Sequence, residues 1–163
     1  MEKEITEVYC GNGRGKTTLA IGQALRASSQ GKSVIIIQFL KGNERRELDF
    51  LEELDQLDIK IFRFEKMETC YDQLNEEEQA EEERNILNGL NFARKVIATQ
   101  ECDFLVLDEI LGLLDKHIAT VDMVVGLLKQ KDESMHLILT GNRVDPGILD
   151  YVDSVTTITT LGR

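Results

Sequence analysis

A short glycine-rich segment near the N-terminus restricts the fold of this chain more than any other feature. It reads Cys10-Gly11-Asn12-Gly13-Arg14-Gly15-Lys16-Thr17-Thr18 and lies between a strand-like run, Glu4–Cys10, and a helix-like run, Lys16–Ser29. Alternating glycines let the backbone turn back on itself, so that successive N–H groups point into one concavity. The first turn of the helix adds the positive end of its dipole. The segment therefore predicts a loop that cradles phosphate at the end of a strand.

The end of this segment matches the Walker A pattern, in which Gly and any four residues precede Gly-Lys-Ser/Thr, except that Cys10 stands at the first glycine. Lys16 supplies an ammonium group for a polyphosphate, and the Thr17 hydroxyl suits Mg²⁺. The alternative is a glycine-rich turn with an accidental lysine, which the strand before and the helix after the segment disfavour. We expect the residues from Gly11 to Thr18 to bind the phosphates of a nucleotide.

A second segment, Phe104-Leu105-Val106-Leu107-Asp108-Glu109, is an apolar strand that ends in two carboxylates, as a Walker B strand does. The carboxyl ends of parallel strands meet at one edge of a sheet, so Asp108 and Glu109 would emerge beside the phosphate loop. Carboxylates at that place hold Mg²⁺ directly or through water. Two alternatives stay open, namely a plain surface turn and a hydrolytic site in which Glu109 activates water.

Strand-like and helix-like runs alternate along the whole chain. The predicted strands are Glu4–Cys10, Ser33–Leu40, Ile59–Phe64, Asp103–Leu107, Met135–Thr140 and Ser154–Thr160. The predicted helices are Lys16–Ser29, Glu44–Leu57, Asn75–Thr99 and Thr120–Lys131. Uninterrupted apolar strands are typical of parallel sheets covered on both faces. The pattern predicts one α/β domain over residues 1–163, with a doubly wound, mostly parallel sheet and helices on both faces.

The charge composition argues against two classes of binding partner. Thirty acidic residues stand against 19 basic ones, a net charge of −11, which disfavours binding to nucleic acid or to an anionic membrane. No apolar run approaches the roughly 20 residues of a membrane helix, and no hydrophobic signal core follows Met1, so we expect a cytoplasmic protein.

The three cysteines are widely spaced and are expected to be reduced thiols. The run Glu76–Glu83, six glutamates in eight residues, is interpreted as a solvated start of a helix.

The details of the phosphate loop resemble one family, the P-loop ATP:corrinoid adenosyltransferases, in which Gly-Asn-Gly-Lys-Gly-Lys-Thr-Thr is typical. Further matching segments follow in order along the chain: Arg26, Gly31-Lys32, Gln38-Phe39-Leu40-Lys41-Gly42, Glu44-Arg45-Arg46, Val106 to Ile110, His136 to Gly141, Ile148-Leu149 and Asp153. The resemblance implies a P-loop NTPase-like, RecA-like fold. It also implies a homodimer that is supplied with electrons by a reductase.

If the resemblance holds, the chain transfers the 5′-deoxyadenosyl group of ATP to the cobalt of a reduced corrinoid and releases triphosphate. It implies that the segment from Gly11 to Thr18 cradles the triphosphate, with Arg26 as a further contact to the nucleotide. Lys16 and Glu109 are the implied catalytic residues, and Thr17, Asp108 and Glu109 the implied ligands of Mg²⁺.

Aromatic residues after the third strand shield the lower face of the corrinoid in this family. The corresponding stretch here contains no tryptophan, so Phe64 and Tyr71 are the candidates for corrinoid contacts. The alternative that they pack in the core stays open for both, and Phe62 is expected to do so. His117 and His136 have no metal-ligand partner at useful spacing and are interpreted as structural or solvated.

Two other functions remain open at this point. The first is a P-loop ATPase or small-molecule kinase, which would release ADP. The second is a regulator that binds nucleotide or corrinoid without catalysis. We expect three features to favour the regulator: the lack of tryptophan, the short segment before the loop and the end of the chain at Arg163.

Overall fold

The computed structural model describes residues 3–40 and 48–162, which form a six-stranded sheet with the strand order β3-β2-β4-β5-β1-β6. The strands are β1 Thr6–Cys10, β2 Val34–Gln38, β3 Ile59–Arg63, β4 Phe104–Asp108, β5 His136–Thr140 and β6 Ser154–Thr157. All five neighbouring pairs are parallel. The predicted doubly wound parallel sheet is therefore confirmed. Five strands are one to three residues shorter than the sequence runs, and β4 has the predicted length but begins one residue later.

Helices connect these strands and cover both faces of the sheet. They are α1 Lys16–Ser29, α2 Glu76–Thr99, α3 Ile110–Asp115, α4 Val121–Gln130 and α5 Pro146–Leu149. The structure confirms the predicted helices α1, α2 and α4, whereas α3 and α5 were not predicted. Asn75 caps the start of α2, and Thr120 caps the start of α4. In residues 3–40 and 48–162 no helix is both long enough and apolar enough to cross a membrane.

The helix predicted over Glu44–Leu57 is wrong where the structure can test it. Residues 41–47, which include Lys41, Gly42 and the Glu44-Arg45-Arg46 segment, lie outside the described residues, and the rest holds only a 3-10 helix over Asp49–Glu53. Leu51 is buried, but Leu54 is 45% exposed. The leucines at intervals of three suit the three-residue turn of a 3-10 helix, so their spacing did not distinguish the two helix types.

The sheet has an apolar core on each face, which explains its uninterrupted apolar strands. In β2, Val34 and Ile36 pack with α1, whereas Ile35 and Ile37 join the core that contains α2, α3 and α4. Successive side chains of a strand point to opposite faces, so a strand buried on both sides needs apolar residues at every position. This packing fixes the carboxyl ends of β1, β2, β4 and β5 along one edge.

The glutamate-rich start of α2 is only partly solvated. The Asn75 side chain and the Glu78 side chain form a reciprocal capping box at the start of α2. Glu82, however, is 2% exposed and accepts hydrogen bonds from the amides of Lys66 and Met67. The solvated interpretation is therefore wrong for Glu82, because this carboxylate ties the chain after β3 to α2.

Candidate functional site

The glycine loop connects β1 to α1 and packs against the segment that follows β6. Gly11 and Gly15 have φ angles of 112° and 99°, which glycine adopts without strain. A Cβ atom on Gly11 or Gly13 would lie 2.3 or 2.6 Å from the carbonyl oxygen of Ile158. These two glycines are therefore required because the backbone at Ile158 leaves no room for a side chain.

Three amides of the loop donate to protein acceptors. Gly11 N donates to Asn142 O at 2.8 Å, Gly13 N to Ile158 O at 2.8 Å, and Arg14 N to the Thr160 hydroxyl at 2.9 Å. The prediction that successive amides of this loop turn into one concavity is corrected for these three, since the segment after β6 extends the hydrogen bonding of β1 into the loop.

Further amide donors lie at the start of α1. The first N–H groups of an α-helix have no acceptor within the helix, and here they belong to Gly15, Lys16, Thr17 and Thr18. A pocket of about 630 Å³ opens beside them, lined by Arg14, Gly15, Thr18, Leu19, Gly22 and Gln23. The helix start and this pocket provide space and donors for an anionic ligand.

The side chain of Lys16 reaches back across the loop. Its Nζ donates to the carbonyl oxygens of Gly11, at 2.8 Å, and Gly13, at 3.1 Å. The ammonium group is therefore held over the loop at the start of α1, where it can exchange backbone acceptors for phosphate oxygens.

Thr17 joins the loop to the end of β4. Its hydroxyl donates to Asp108 Oδ1 at 2.9 Å, and Asp108 is 0% exposed. The same carboxylate accepts from the Thr140 hydroxyl at 2.8 Å and from Gln38 Nε2 at 3.1 Å. Three donors from three neighbouring elements thus satisfy a fully buried carboxylate.

Thr140 and Gln38 were not predicted as site residues, although their positions in the sequence carry a signal. Each is the last residue of its strand, and β5 and β2 flank β4 in the sheet. A polar residue at the end of an apolar strand, next to the strand that carries the carboxylate, could have been recognised from the strand order. The strand order itself was not available from the residues.

Glu109 begins a sharp turn directly after β4. Its φ angle is 64°, a left-handed conformation that is uncommon for a residue with a side chain. Its amide donates to the Thr140 hydroxyl at 2.8 Å. Thr140 therefore fixes Asp108 and Glu109 together, accepting from one and donating to the other.

A pocket of about 290 Å³ lies on this side of the site. It is lined by Leu40, Cys70, Tyr71, Asp72, Glu109, Lys116 and Asn142. The Tyr71 hydroxyl donates to Glu83, and Lys116 Nζ lies 2.6 Å from Asp72 Oδ1. Burial, and then the Glu83 carboxylate, raise the pKa of Tyr71 to about 12, so this phenol stays protonated. Tyr71 and Glu109 therefore share one pocket, as their assignment to one site requires.

Phe64, the other aromatic candidate, lies elsewhere. Its ring centroid is 5.5 Å from that of Phe92, and its Cδ2 lies 3.0 Å from where a Cβ on Gly89 would be. Phe62 packs on the same Phe92 ring at 4.6 Å. Both phenylalanines pack against α2, so the expectation for Phe62 is met, and Phe64 is not among the residues that line the pocket with Glu109.

Arg26 does not reach the site. It lines a separate pocket of about 150 Å³ with the first residues of β4 and β5, Phe104 and His136. Asp108 and Thr140 end those strands, so Arg26 lies at the opposite edge of the sheet. Ten residues of α-helix separate it from Lys16, a distance of roughly 15 Å at 1.5 Å per residue. The assignment of Arg26 to the nucleotide is therefore withdrawn.

His136 is a structural residue at this opposite edge. Its two ring nitrogens lie 3.2 Å from Glu4 and 2.7 Å from Glu7, and its ring stacks on Phe104. In residues 3–40 and 48–162 no group of three or more His, Cys, Asp or Glu residues could hold a metal ion.

Comparison with known proteins gives the geometry a context. The family model for the ATP:corrinoid adenosyltransferases BtuR, CobO and CobP matches residues 2–162. The corrinoid adenosyltransferase of Escherichia coli is 31% identical over 159 residues, which cover 94% of this chain and 76% of that enzyme. Corrinoid adenosyltransferase CobA of Salmonella typhimurium is 29% identical, with the same coverage of both chains.

Solved structures support the fold. A KaiC-like protein from the archaeon Pyrococcus horikoshii matches with a TM-score of 0.61 at 18% identity, covering 95% of this chain and 71% of that one. This likeness agrees with the predicted P-loop NTPase-like, RecA-like architecture.

Proposed function

Since this chain belongs to the BtuR/CobO/CobP family of ATP:corrinoid adenosyltransferases, we propose that its glycine loop and the adjoining strand ends hold ATP for adenosyl transfer. In this reaction cobalt(I) of a reduced corrinoid attacks the 5′ carbon of ATP. A cobalt–carbon bond forms, the bond between that carbon and the α-phosphate oxygen breaks, and its electron pair leaves with triphosphate. The observation that carries the proposal is the cluster of Lys16, Thr17, Asp108 and Glu109 at one end of α1.

Stabilising the leaving group is the main task of the loop. Triphosphate gains negative charge as the carbon–oxygen bond breaks, and donors fixed in advance lower the barrier by meeting that charge. The amides at the start of α1 and the ammonium group of Lys16 are such donors, and both are already held in place. No nucleophile from the protein is required, because the attacking electrons come from cobalt.

The oxygen atoms at the loop fit Mg²⁺. This ion prefers oxygen ligands and is commonly bound through one or two carboxylates together with substrate phosphates and water. The Thr17 hydroxyl, Glu109 and Asp108 offer that combination. Because Asp108 accepts from Thr17, Thr140 and Gln38, its role is to orient the Thr17 hydroxyl, and Glu109 is the carboxylate nearer to the open pocket. Bound there, Mg²⁺ would neutralise part of the phosphate charge.

The pocket beside Glu109 is our candidate for contact with the corrinoid. Its volume, about 290 Å³, is smaller than a corrin ring with its side chains, so it would receive only one edge of that substrate. The Tyr71 ring, fixed by Glu83 and by Lys116 at 6.0 Å from its centroid, offers an apolar face and a phenol that stays protonated. Phe64 has no part in this contact.

The remaining assignments are proposals that rest on the family and on the sheet. We propose one domain over residues 1–163, supported by the pairing of β1 with β6 inside a single sheet. We further propose a cytoplasmic homodimer that receives electrons from a reductase.

One experiment separates the candidate functions. The protein is incubated with MgATP and chemically reduced cobalamin, and both the corrinoid spectrum and the phosphate products are followed. Adenosylated corrinoid with triphosphate supports the proposal, ADP would indicate an ATPase or kinase, and binding without turnover would indicate a regulator. Lys16→Ala should abolish turnover, whereas Lys60→Ala, which removes an exposed charge from β3, should not. Equal ATP affinity and rate in Lys16→Ala and the parent protein would refute the site.

A further inference from the structure

Two strained turns form neighbouring walls of the pocket beside Glu109. Leu40 has a φ angle of 61° and Glu109 one of 64°, and both line this pocket. Left-handed conformations cost free energy for residues with a side chain and persist only where the surroundings hold them. Both turns closely follow the ends of adjacent strands, β2 and β4. The pocket therefore depends on two backbone conformations that the residues would not adopt on their own.

Each of these turns is held in the same way, by a buried side-chain oxygen that accepts the amide N–H. The Glu109 amide donates to the Thr140 hydroxyl at 2.8 Å, and the Leu40 amide donates to Oε1 of Glu65 at 2.7 Å. Thr140 is 0% exposed and Glu65 is 7% exposed. Glu65 therefore holds the amide of Leu40 as Thr140 holds the amide of Glu109.

Burying the Glu65 carboxyl costs free energy that filling the same space with an apolar side chain would not cost. Oε2 of Glu65 has no hydrogen-bond partner within the described ranges 3–40 and 48–162. Burial raises the pKa of the Glu65 carboxyl and the Glu82 carboxylate adds to this rise, whereas the backbone amides of Leu40, Glu65 and Phe64 oppose it. An apolar residue would avoid that cost but could not accept the hydrogen bond from the Leu40 amide.

The side chain of Leu40 is closely fitted on its other side. A Cβ atom on Gly112 would lie 2.9 Å from Leu40 Cδ1 and 3.4 Å from Glu109 Oε2. Gly112 therefore leaves the space into which Leu40 and Glu109 both extend. A change in the backbone at Leu40 would move this wall relative to Glu109 and to Cys70, which lines the same pocket.

We propose that Glu65 is a positioning residue for the second substrate: it holds Leu40 in its left-handed conformation and thereby shapes the wall of the pocket next to Glu109. The proposal rests on the proposed function only in naming the corrinoid as the molecule that meets this wall. Glu65 acts through Leu40 and touches neither ATP nor the loop at the start of α1.

The first test measures how accessible Cys70 is in the pocket and requires no catalysis. Cys10 and Cys102 are buried, burial raises the pKa of the Cys102 thiol to about 12, and Cys70 is half-buried in the pocket, so Cys70 is the thiol that reports on it. We expect Glu65→Met, which removes the acceptor, to raise the rate of Cys70 labelling by a small thiol reagent several-fold. Glu65→Gln keeps an acceptor for Leu40 and should label like the parent protein, and Cys70→Ser identifies the signal. An unchanged rate in Glu65→Met overturns the proposal.

The second test separates the two substrates. Glu65→Met should raise KM for the corrinoid about tenfold, because losing one net hydrogen bond lowers the population of the correctly shaped wall by about that factor. KM for ATP should stay within about twofold of the parent. Equal increases in both values, or equal effects of Glu65→Gln and Glu65→Met, would mean a general structural role and overturn the proposal. Leu40→Ala, which alters the wall and leaves Glu65 in place, should reproduce the change in corrinoid KM if Glu65→Met does not fold. Faster Cys70 labelling in a protein that never transfers adenosyl would keep the positioning role and refute only the proposed function.

Discussion

The Thr17 hydroxyl lies 2.9 Å from Oδ1 of Asp108, and this contact joins the phosphate loop to the end of β4. Because Asp108 is fully buried, the hydroxyl both orients the carboxylate and satisfies part of its need for donors. The contact therefore contributes to the stability of the fold and to the proposed magnesium site, and the two roles can be measured separately.

The effect of substituting Thr17 should depend on whether the new residue keeps the hydroxyl. Thr17→Val keeps the shape of the side chain but removes a donor to buried Asp108, so we expect a loss of about 1–3 kcal/mol in unfolding free energy, measured with EDTA present. The same variant should lose the Mg²⁺ dependence of ATP binding. Thr17→Ser keeps the hydroxyl and should preserve both properties. Equal stability and equal Mg²⁺ dependence of the two variants would contradict the assignment.

Gly13→Ala tests the contact between the loop and the segment after β6. The new Cβ would lie 2.6 Å from Ile158 O, and backbone must move to admit it. We expect a loss of about 1–3 kcal/mol in unfolding free energy, as for overpacking elsewhere, together with weaker ATP binding.

Gly126→Ala is the matched control for that change. Gly126 lies in α4, where an added Cβ meets nothing within 4 Å. Replacing glycine by alanine inside a helix should raise the unfolding free energy by roughly 0.5–1 kcal/mol. Thermal unfolding of both variants at one pH checks the pair, and a Gly13→Ala protein as stable as Gly126→Ala would show that Ile158 does not restrict the loop.

Much of this fold could be predicted because the signals were local. The strand-loop-helix around Lys16 and the buried runs in β2 and β4 follow from glycine spacing and apolar patterning alone. Arg26 could also have been excluded at that stage, since ten residues of helix carry it about 15 Å from Lys16.

The features that escaped prediction depend on contacts between distant segments. Thr140 and Gln38 reach Asp108 only because β5 and β2 flank β4, and no residue pattern states that order. The amide donors of the loop were predicted too broadly because Ile158 lies far away in the chain. In the same way, Glu82 sits in a run of charged residues, and only the fold of the segment after β3 buries it.

At the edge opposite the loop, Glu4 should make stability depend on pH in the acid range. The hydrogen bond from Lys32 lowers the pKa of the Glu4 carboxyl below its ordinary value of 4.5, burial opposes this, and His136 adds to the lowering. A lowered pKa in the folded state contributes stability above pH 4.5 that is lost as the pH falls through the folded value.

Glu4→Gln should therefore be less stable than the parent protein near neutral pH, and the difference should shrink below the folded pKa of Glu4. The groups are partly exposed, with Glu4 at 28% and Lys32 at 35%, so we expect about 0.5–1 kcal/mol. Urea unfolding at two pH values measures it. Glu133→Gln, in an exposed pair with Lys3, is the control and should change little; a constant difference for Glu4→Gln across pH would contradict the assignment.

Glu65 should make the unfolding free energy depend on pH in the opposite direction from Glu4. Burial raises the pKa of this carboxyl above its ordinary value of 4.5, so its contribution to stability is complete below pH 4.5 and is lost as the pH rises through the folded value. Glu65→Gln cannot ionise but still offers an oxygen to the Leu40 amide. The variant should gain stability relative to the parent as the pH rises from about 4 to neutrality, as followed by urea unfolding at several pH values. If the difference in unfolding free energy instead falls over this range, the ionised carboxylate is stabilised where it lies, and the raised pKa of Glu65 would be contradicted.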